Sequence, residues 1–424
     1  MNKYIEIYIY GIFLFVIALT SILYFFVFAK ENGTTLHTIN VPSIIQENTN
    51  TQNIQEKESH PLKQCFTLQE GRDACYFDFC KKENPYLCAE ELLDTIVRIE
   101  GPEQAMEALN DIMESDIFEI QLYGHALAHV IGRATSYYLG LSEASFVRCP
   151  IDFNFGCVHG FFERALEKST SSIEIALEIC EKHPFCYHGL GHGFVYYESY
   201  NLMNALALCD QLRTFDAYES CYRGVFMENI TGFFDNVDGE MGFVENDILA
   251  PCSRIEDKYR NQCWREHGRY IVHYNNWSLR DAAHFCLNAG DYIHGCMVSL
   301  GHLVTGPGSQ NSLKGPFIGT HEEIAAYLCN QFPSDHITTC QTIHISNTLD
   351  GDRTDTTQAS EFCLSFNVNV NDCFKKIGTK LIEVAYNNDG IIRGCTMVPE
   401  QHRESCYEGA DIHKETKDTS MIYE

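Results

Sequence analysis

Pairs of imidazoles four residues apart recur in this 424-residue sequence, each at a set distance beyond a cysteine or its substitute. Cys186-Tyr-His188-Gly-Leu-Gly-His192 carries one pair, and Tyr123-Gly-His125-Ala-Leu-Ala-His129 repeats it with Tyr in place of Cys. Between them, Cys157-Val-His159-Gly-Phe-Phe-Glu163 keeps the first histidine and puts a carboxylate at the second position. On a helix, residues i and i+4 share one face. If three equivalent helices line a common surface, His125, His129, His159, Glu163, His188 and His192 project together. Five imidazoles and one carboxylate can hold one or two transition metals, and such nitrogen and oxygen donors suit zinc, copper or non-haem iron.

The pattern changes further along the chain. Cys221 is followed by Arg223 and Met227, and Cys263 by Arg265 and Arg269, with His267 between them. Cys296 keeps only His302, at the second position. Arg223, Glu228, His267 and His302 form a second tier of candidates, early in the succeeding helices, where they would support a metal or meet a substrate. The competing expectation is metal-free. A repeat consensus can carry histidine because the ring hydrogen-bonds a neighbouring helix, and the array is then a protein-binding scaffold with structural histidines.

Known catalytic signatures are absent. Neither His pair has the glutamate of H-E-x-x-H, and there is no G-x-S-x-G, P-loop or C-x-x-C-H. Zincin, serine-hydrolase, P-loop NTPase and covalent c-type haem chemistries therefore lack their residues. The sequence names no catalytic residue and no reaction.

The elements that must position these histidines are written in cysteines. The pairs are Cys149 and Cys157, Cys180 and Cys186, Cys209 and Cys221, Cys252 and Cys263, Cys286 and Cys296, Cys329 and Cys340, Cys363 and Cys373, Cys395 and Cys406. Successive first members lie 29 to 43 residues apart, the period range of helical repeats. A helical pattern precedes each first cysteine, often with alanine one turn earlier, as at Ala176, Ala205, Ala282 and Ala325. An apolar stretch follows each second cysteine. The unit reads as helix, short loop, helix, stapled by a disulfide worth about 2–3 kcal/mol in the chain-entropy picture. Cys65 with Cys75 and Cys80 with Cys88 would cap the amino-terminal end.

The expected fold is all-α, a disulfide-stapled array of helical hairpins over residues 62–424, an α-solenoid. In shape it is loosely similar to tetratricopeptide (TPR) or Sel1-like repeats, without the signatures of either family. The extra length in GFFDNVDGEMGFVEND (232–247) and TGPGSQNSLKGPFIG (305–319) reads as surface loops. The first resembles a calcium loop, except that Phe234 stands at the first ligand position.

Residues 10–29 form an uncharged apolar run of twenty, about 30 Å as a helix, which spans a bilayer. The run ends in bulky Phe26-Val27-Phe28 rather than the small residues of a cleavage site, so residues 1–30 read as an uncleaved, single-pass signal anchor. Residues 31–61 are rich in Asn, Thr, Gln and Glu and read as a flexible tether. All twenty cysteines lie at or beyond Cys65, so the bulk of the chain belongs outside the cytoplasm, where disulfides persist. Sequons at Asn32, Asn229 and Asn276 are compatible with that placement. Asp and Glu outnumber Lys and Arg by 58 to 30, a net charge of −28, which repels nucleic acid. The partners expected are the membrane, through the first helix, and a protein on the concave face.

Overall fold

The computed structural model describes residues 60–412, apart from 81–83, 116–122, 167–169, 245–246, 306–312, 314–318, 352–353 and 367–369, and 386–387. The apolar run 10–29, the tether to residue 59, Asn32 and most of the 305–319 segment lie outside the described residues. Among those described, no helix is long and apolar enough to cross a membrane.

The described residues are helical, with one isolated β-bridge, Val244 to Asp247. In chain order the helices are α1 (Lys63–Phe66), α2 (Arg72–Asp78), α3 (Pro85–Ile99), α4 (Pro102–Glu114), α5 (Gly124–Leu139), α6 (Glu143–Phe146) and α7 (Asp152–Ala165). Then come α8 (Thr170–Lys182), α9 (Tyr187–Tyr197), α10 (Leu202–Cys209), α11 (Phe215–Phe234), α12 (Asp257–Glu266), α13 (Gly268–Tyr274) and α14 (Leu279–Cys286). The last seven are α15 (Ile293–Thr305), α16 (His321–Cys329), α17 (Ile337–Gly351), α18 (Thr357–Leu364), α19 (Val370–Val384), α20 (Asn388–Met397) and α21 (Arg403–Gly409).

Local chemistry starts several of these helices. Asn84, with Pro85 next, accepts from the N–H groups of Tyr86 and Leu87. Asn201, Thr214 and Ser278 cap α10, α11 and α14 in the same way. Thr320 and Glu323 form a reciprocal capping box on α16.

All twenty cysteines are paired in ten local disulfides, with Cα–Cα separations of 5.2–5.7 Å. The pairs are those expected from spacing, including Cys65–Cys75 and Cys80–Cys88 at the amino-terminal end. So many disulfides point to an oxidising, extracytoplasmic environment. The alanines one turn before the first cysteines (Ala176, Ala205, Ala282, Ala325) are fully buried, where only a small side chain lets two helices close. The second helices of successive hairpins pack on one another in a continuous row: α5 on α7, α7 on α9, α9 on α11, α11 on α12, α12 on α15, α15 on α17, α17 on α19, α19 on α21. That row carries the histidines.

Two expectations change. Asn229 is buried, and its side-chain amide donates to the Met241 carbonyl at 3.1 Å, so this sequon offers no glycan acceptor in the folded chain; Asn276 is exposed. The 232–247 segment is not simply a surface loop. It begins as the last turn of α11, then folds back to bury Met241 and to accept the Leu202 N–H on the Glu240 carbonyl.

Candidate metal centre

Backbone contact between helices brings the histidines together. A Cβ at Gly132 on α5 would collide with the Cys157 carbonyl of α7, and one at Gly160 on α7 with the His129 carbonyl of α5. Gly191 on α9 and Gly224 on α11 are related in the same reciprocal way, meeting the carbonyls of Cys221 and His188. Gly189 and Gly193 bring α9 onto Val158 and Phe162 of α7. The flanking glycines seen in the sequence are thus the sites of closest helix approach.

Five rings form one cluster. His125 and His129 have ring centroids 4.6 Å apart, and His188 and His192 5.0 Å apart. His159 stands between the pairs, 5.3 Å from both His125 and His129, 4.8 Å from His188 and 5.2 Å from His192. Ligand-type atoms of His125, His129 and His159 lie within 4.8 Å of one another, and so do those of His159, His188 and His192. His159 and His192 are buried; His125, His129 and His188 are half-buried.

Hydrogen bonds at the outer nitrogens determine which ring nitrogen is free. His125 Nδ1–H donates to the Phe153 carbonyl at 2.7 Å, an atom that can only accept. That carbonyl is delivered by three consecutive left-handed residues, Phe153, Asn154 and Phe155, with φ of 49°, 52° and 61°. Each such non-glycine residue costs on the order of 1 kcal/mol or more, a strain of the kind found at functional sites. His129 Nδ1–H donates to Glu163 Oε1 at 2.5 Å, and His192 Nδ1–H to Glu228 Oε2 at 2.9 Å. His188 hydrogen-bonds the backbone of Ser220.

The inner nitrogens then face each other. His125 Nε2 lies 3.0 Å from His129 Nε2, and His188 Nε2 3.2 Å from His192 Nε2. With Nδ1 protonated on both rings of a neutral pair, two lone pairs are opposed, which is repulsive unless a proton or a metal cation lies between them. Two nitrogens bound tetrahedrally to one metal at about 2.05 Å stand about 3.3 Å apart. His159 adds a buried Nδ1 with no hydrogen-bond partner among the described residues. Orphaned buried nitrogens are rare in folded proteins and call for an explanation.

The two carboxylates are themselves anchored. Glu163 Oε2 accepts from Arg133 Nη1 at 2.7 Å, and Glu228 Oε1 accepts from the Tyr200 hydroxyl at 3.0 Å. Burial opposes the Glu163 charge, but His129 and Arg133 overcome it and hold the carboxyl well below its usual range. Burial, reinforced by the neighbouring His129, pushes His125 down to about 4. His159 and His188 are likewise driven far below the usual range, chiefly by burial. His192 goes the other way: burial disfavours its charge, but the hydrogen bond and charge of Glu228 outweigh it. A set of mostly neutral imidazoles is the state a metal ligand requires.

The structure therefore brings together all six residues of the first tier, with Glu163 joined to a histidine and an arginine. Of the second tier, Glu228 belongs to the cluster through His192. Arg223 pairs through Nε with Glu266 at 2.7 Å. His302 sits in a separate pocket, its Nδ1 accepting from Asn347 at 3.4 Å. His267 lies against Trp264, Phe243 and Tyr270, with Nε2–H donating to the Ile248 carbonyl at 2.8 Å. Two residues along a helix is about 200° of rotation, so His267 faces away from the row of Arg265 and Arg269. Arg133, Tyr200 and the Phe153 carbonyl were not anticipated. Arg133 had a signal, lying four residues beyond His129 on the same face; the other two had none. Compared with known protein families, curated proteins and solved structures, the chain matches none.

Proposed function

We propose that this protein is a membrane-anchored, extracytoplasmic helical-repeat protein that binds a transition metal in the five-histidine centre, for storage, transfer or metal-dependent chemistry. One observation carries the reading: the hydrogen-bonded outer nitrogens aim the Nε2 atoms of His125 and His129, and of His188 and His192, at one another in pairs. Histidine ligands characteristically give their second nitrogen to a carboxylate or carbonyl, which sets the tautomer and the ring orientation. The unpartnered Nδ1 of His159, midway between the pairs, supports the same reading. Five nitrogen donors with no free thiol favour zinc, copper or iron over calcium or magnesium. His125, His129, His159, His188 and His192 are the proposed ligands, and Glu163 and Glu228 orient them while balancing the metal's charge.

The anchor at residues 10–29 and the solenoid form of the helix row belong to this proposal. The apolar run supports the first, and the sequential packing of second helices supports the second. A protein partner on the concave face is the expected use of such an array.

The test is metal content by mass spectrometry on the purified full-length protein, beside a His188→Ala/His192→Ala variant. About one or two equivalents in the wild type, and a loss in the variant, is the expected result. No metal in either protein after exposure to zinc, copper and iron would overturn the proposal and leave a stapled scaffold.

A further inference from the structure

The row that carries His125 through His192 continues onto α11, α12, α13 and α15, where its residues are Arg223, Met227, Arg265, Arg269 and His302. Here the row borders a separate cavity of about 130 Å³, lined by Arg265, Arg269, Ser299 and His302, with Met227 and Leu303 on its apolar side. A cationic pocket is out of character for a chain with a net charge of −28.

Its charges are poorly balanced. Glu266 also lines the cavity, but its carboxylate is engaged by Arg223. Arg265 makes no hydrogen bond or ion pair with any described residue. Burial and the like charge of Arg223 both work against its guanidinium, and Glu266 and Glu219 only partly compensate. The Glu219 carboxylate is itself taken up by Gln262. Arg269, exposed at the rim, lies over the Phe234 ring at 4.3 Å and feels Asp235 only at longer range. Arg265 and Arg269 stand one helical turn apart on the same lining, an arrangement in which two guanidinium groups can share one anion.

Neutral donors complete the set. Ser299 Oγ accepts the Gly268 N–H at 2.7 Å, and its own hydroxyl proton goes to no described residue. Gly268 is required there, since a Cβ would collide with that oxygen. His302 accepts at Nδ1 from Asn347, which leaves Nε2 as the protonated nitrogen of the neutral ring.

We propose that Arg265, Arg269, Ser299 and His302 form a binding site for a compact oxyanion of the phosphate class. Guanidinium forks match phosphate oxygens in pairs, the hydroxyl and imidazole add single donors, and the small cavity suits one phosphate group rather than an extended polyanion. The site does not depend on the histidine centre, although Arg223 is close enough to act on both His188 and His302.

The experiment is calorimetric titration of inorganic phosphate into full-length, chelator-treated protein at constant ionic strength. Saturable binding is expected, weakened at least about tenfold in both Arg265→Gln and Arg269→Gln. Because Arg269 is exposed, its variant keeps the fold, which a thermal melt in phosphate-free buffer checks. The His188→Ala/His192→Ala variant retains phosphate binding, which separates this site from the metal centre. No saturation in the wild type up to about 10 mM phosphate, or wild-type affinity in the Arg269→Gln variant, would overturn the assignment.

Discussion

The helices α5 to α11 and the terminal pair α19 and α21 are built alike and furnished differently. In the terminal pair, a Cβ at Gly378 would strike the Cys406 carbonyl and one at Gly409 the Lys375 carbonyl, the same reciprocal approach as Gly132 with Gly160 and Gly191 with Gly224. Two residues beyond the cysteine, however, α19 and α21 carry Lys375 and Glu408, an exposed ion pair at 3.0 Å. The equivalent positions of α7 and α9 are His159 and His188. Glycine is what the crossing needs, and histidine is not. The buried imidazoles are therefore an addition to the scaffold, and a costly one, since an imidazole nitrogen without a partner loses its water on burial.

The largest test of this comparison strikes the shared part. Gly160→Val and Gly378→Val should each cost about 3 kcal/mol or more, because backbone meets the new side chain and cannot yield. Urea unfolding of the two variants checks it. A tolerated Gly378→Val would mean that the two regions are not built alike.

A smaller effect is expected from the parts that differ. Glu163→Gln and Glu228→Gln remove the charge behind His129 and His192, and each should weaken metal binding about 10- to 100-fold, or about 1.4–2.7 kcal/mol. Competition with a chelator of known affinity measures this. Lys375→Ala should leave both the melting temperature and the metal content unchanged. An equal loss of metal from Lys375→Ala would show that the centre responds to general destabilisation.

The smallest effect concerns acid. His125 is held at about 4 and His344, distant in sequence, at about 3, both chiefly by burial. Folded values below the ordinary 6.5 mean that the unfolded chain binds more protons in this range. Their contribution to stability is therefore full above about pH 6.5 and is lost as pH falls through the folded values. His344 has both ring nitrogens buried without partners and its ring 4.1 Å from Phe362. His344→Phe should flatten the acid limb of a pH–stability curve while leaving the metal content unchanged. A steeper acid limb in that variant would contradict the burial argument.

Much of the fold was readable in the chain. The cysteine spacing anticipated the ten local pairings, and the i, i+4 histidines placed His125 with His129 and His188 with His192. The candidate metal centre was readable only in outline. Glu163 was placed in the cluster by its register, and the hydrogen bonds from His129 and Arg133 to its oxygens are what register alone does not reveal. The Phe153 carbonyl reaches His125 through three left-handed residues that no composition rule favours. Tyr200 arrives from a turn outside the repeat pattern to hold Glu228.

The sequence by itself determined what is local: helix faces, caps, and disulfides across loops of 6 to 12 residues, because spacing along one chain constrains groups that stay close. Only the tertiary structure decided which faces meet. Convergence of three helices depends on close glycine contacts, and the state of the His125, His129 and His192 rings depends on acceptors 28 to 36 residues away. Those partners are chosen by packing, so the same histidine register that forms a centre on α5, α7 and α9 gives way to an arginine-lined pocket farther along the row.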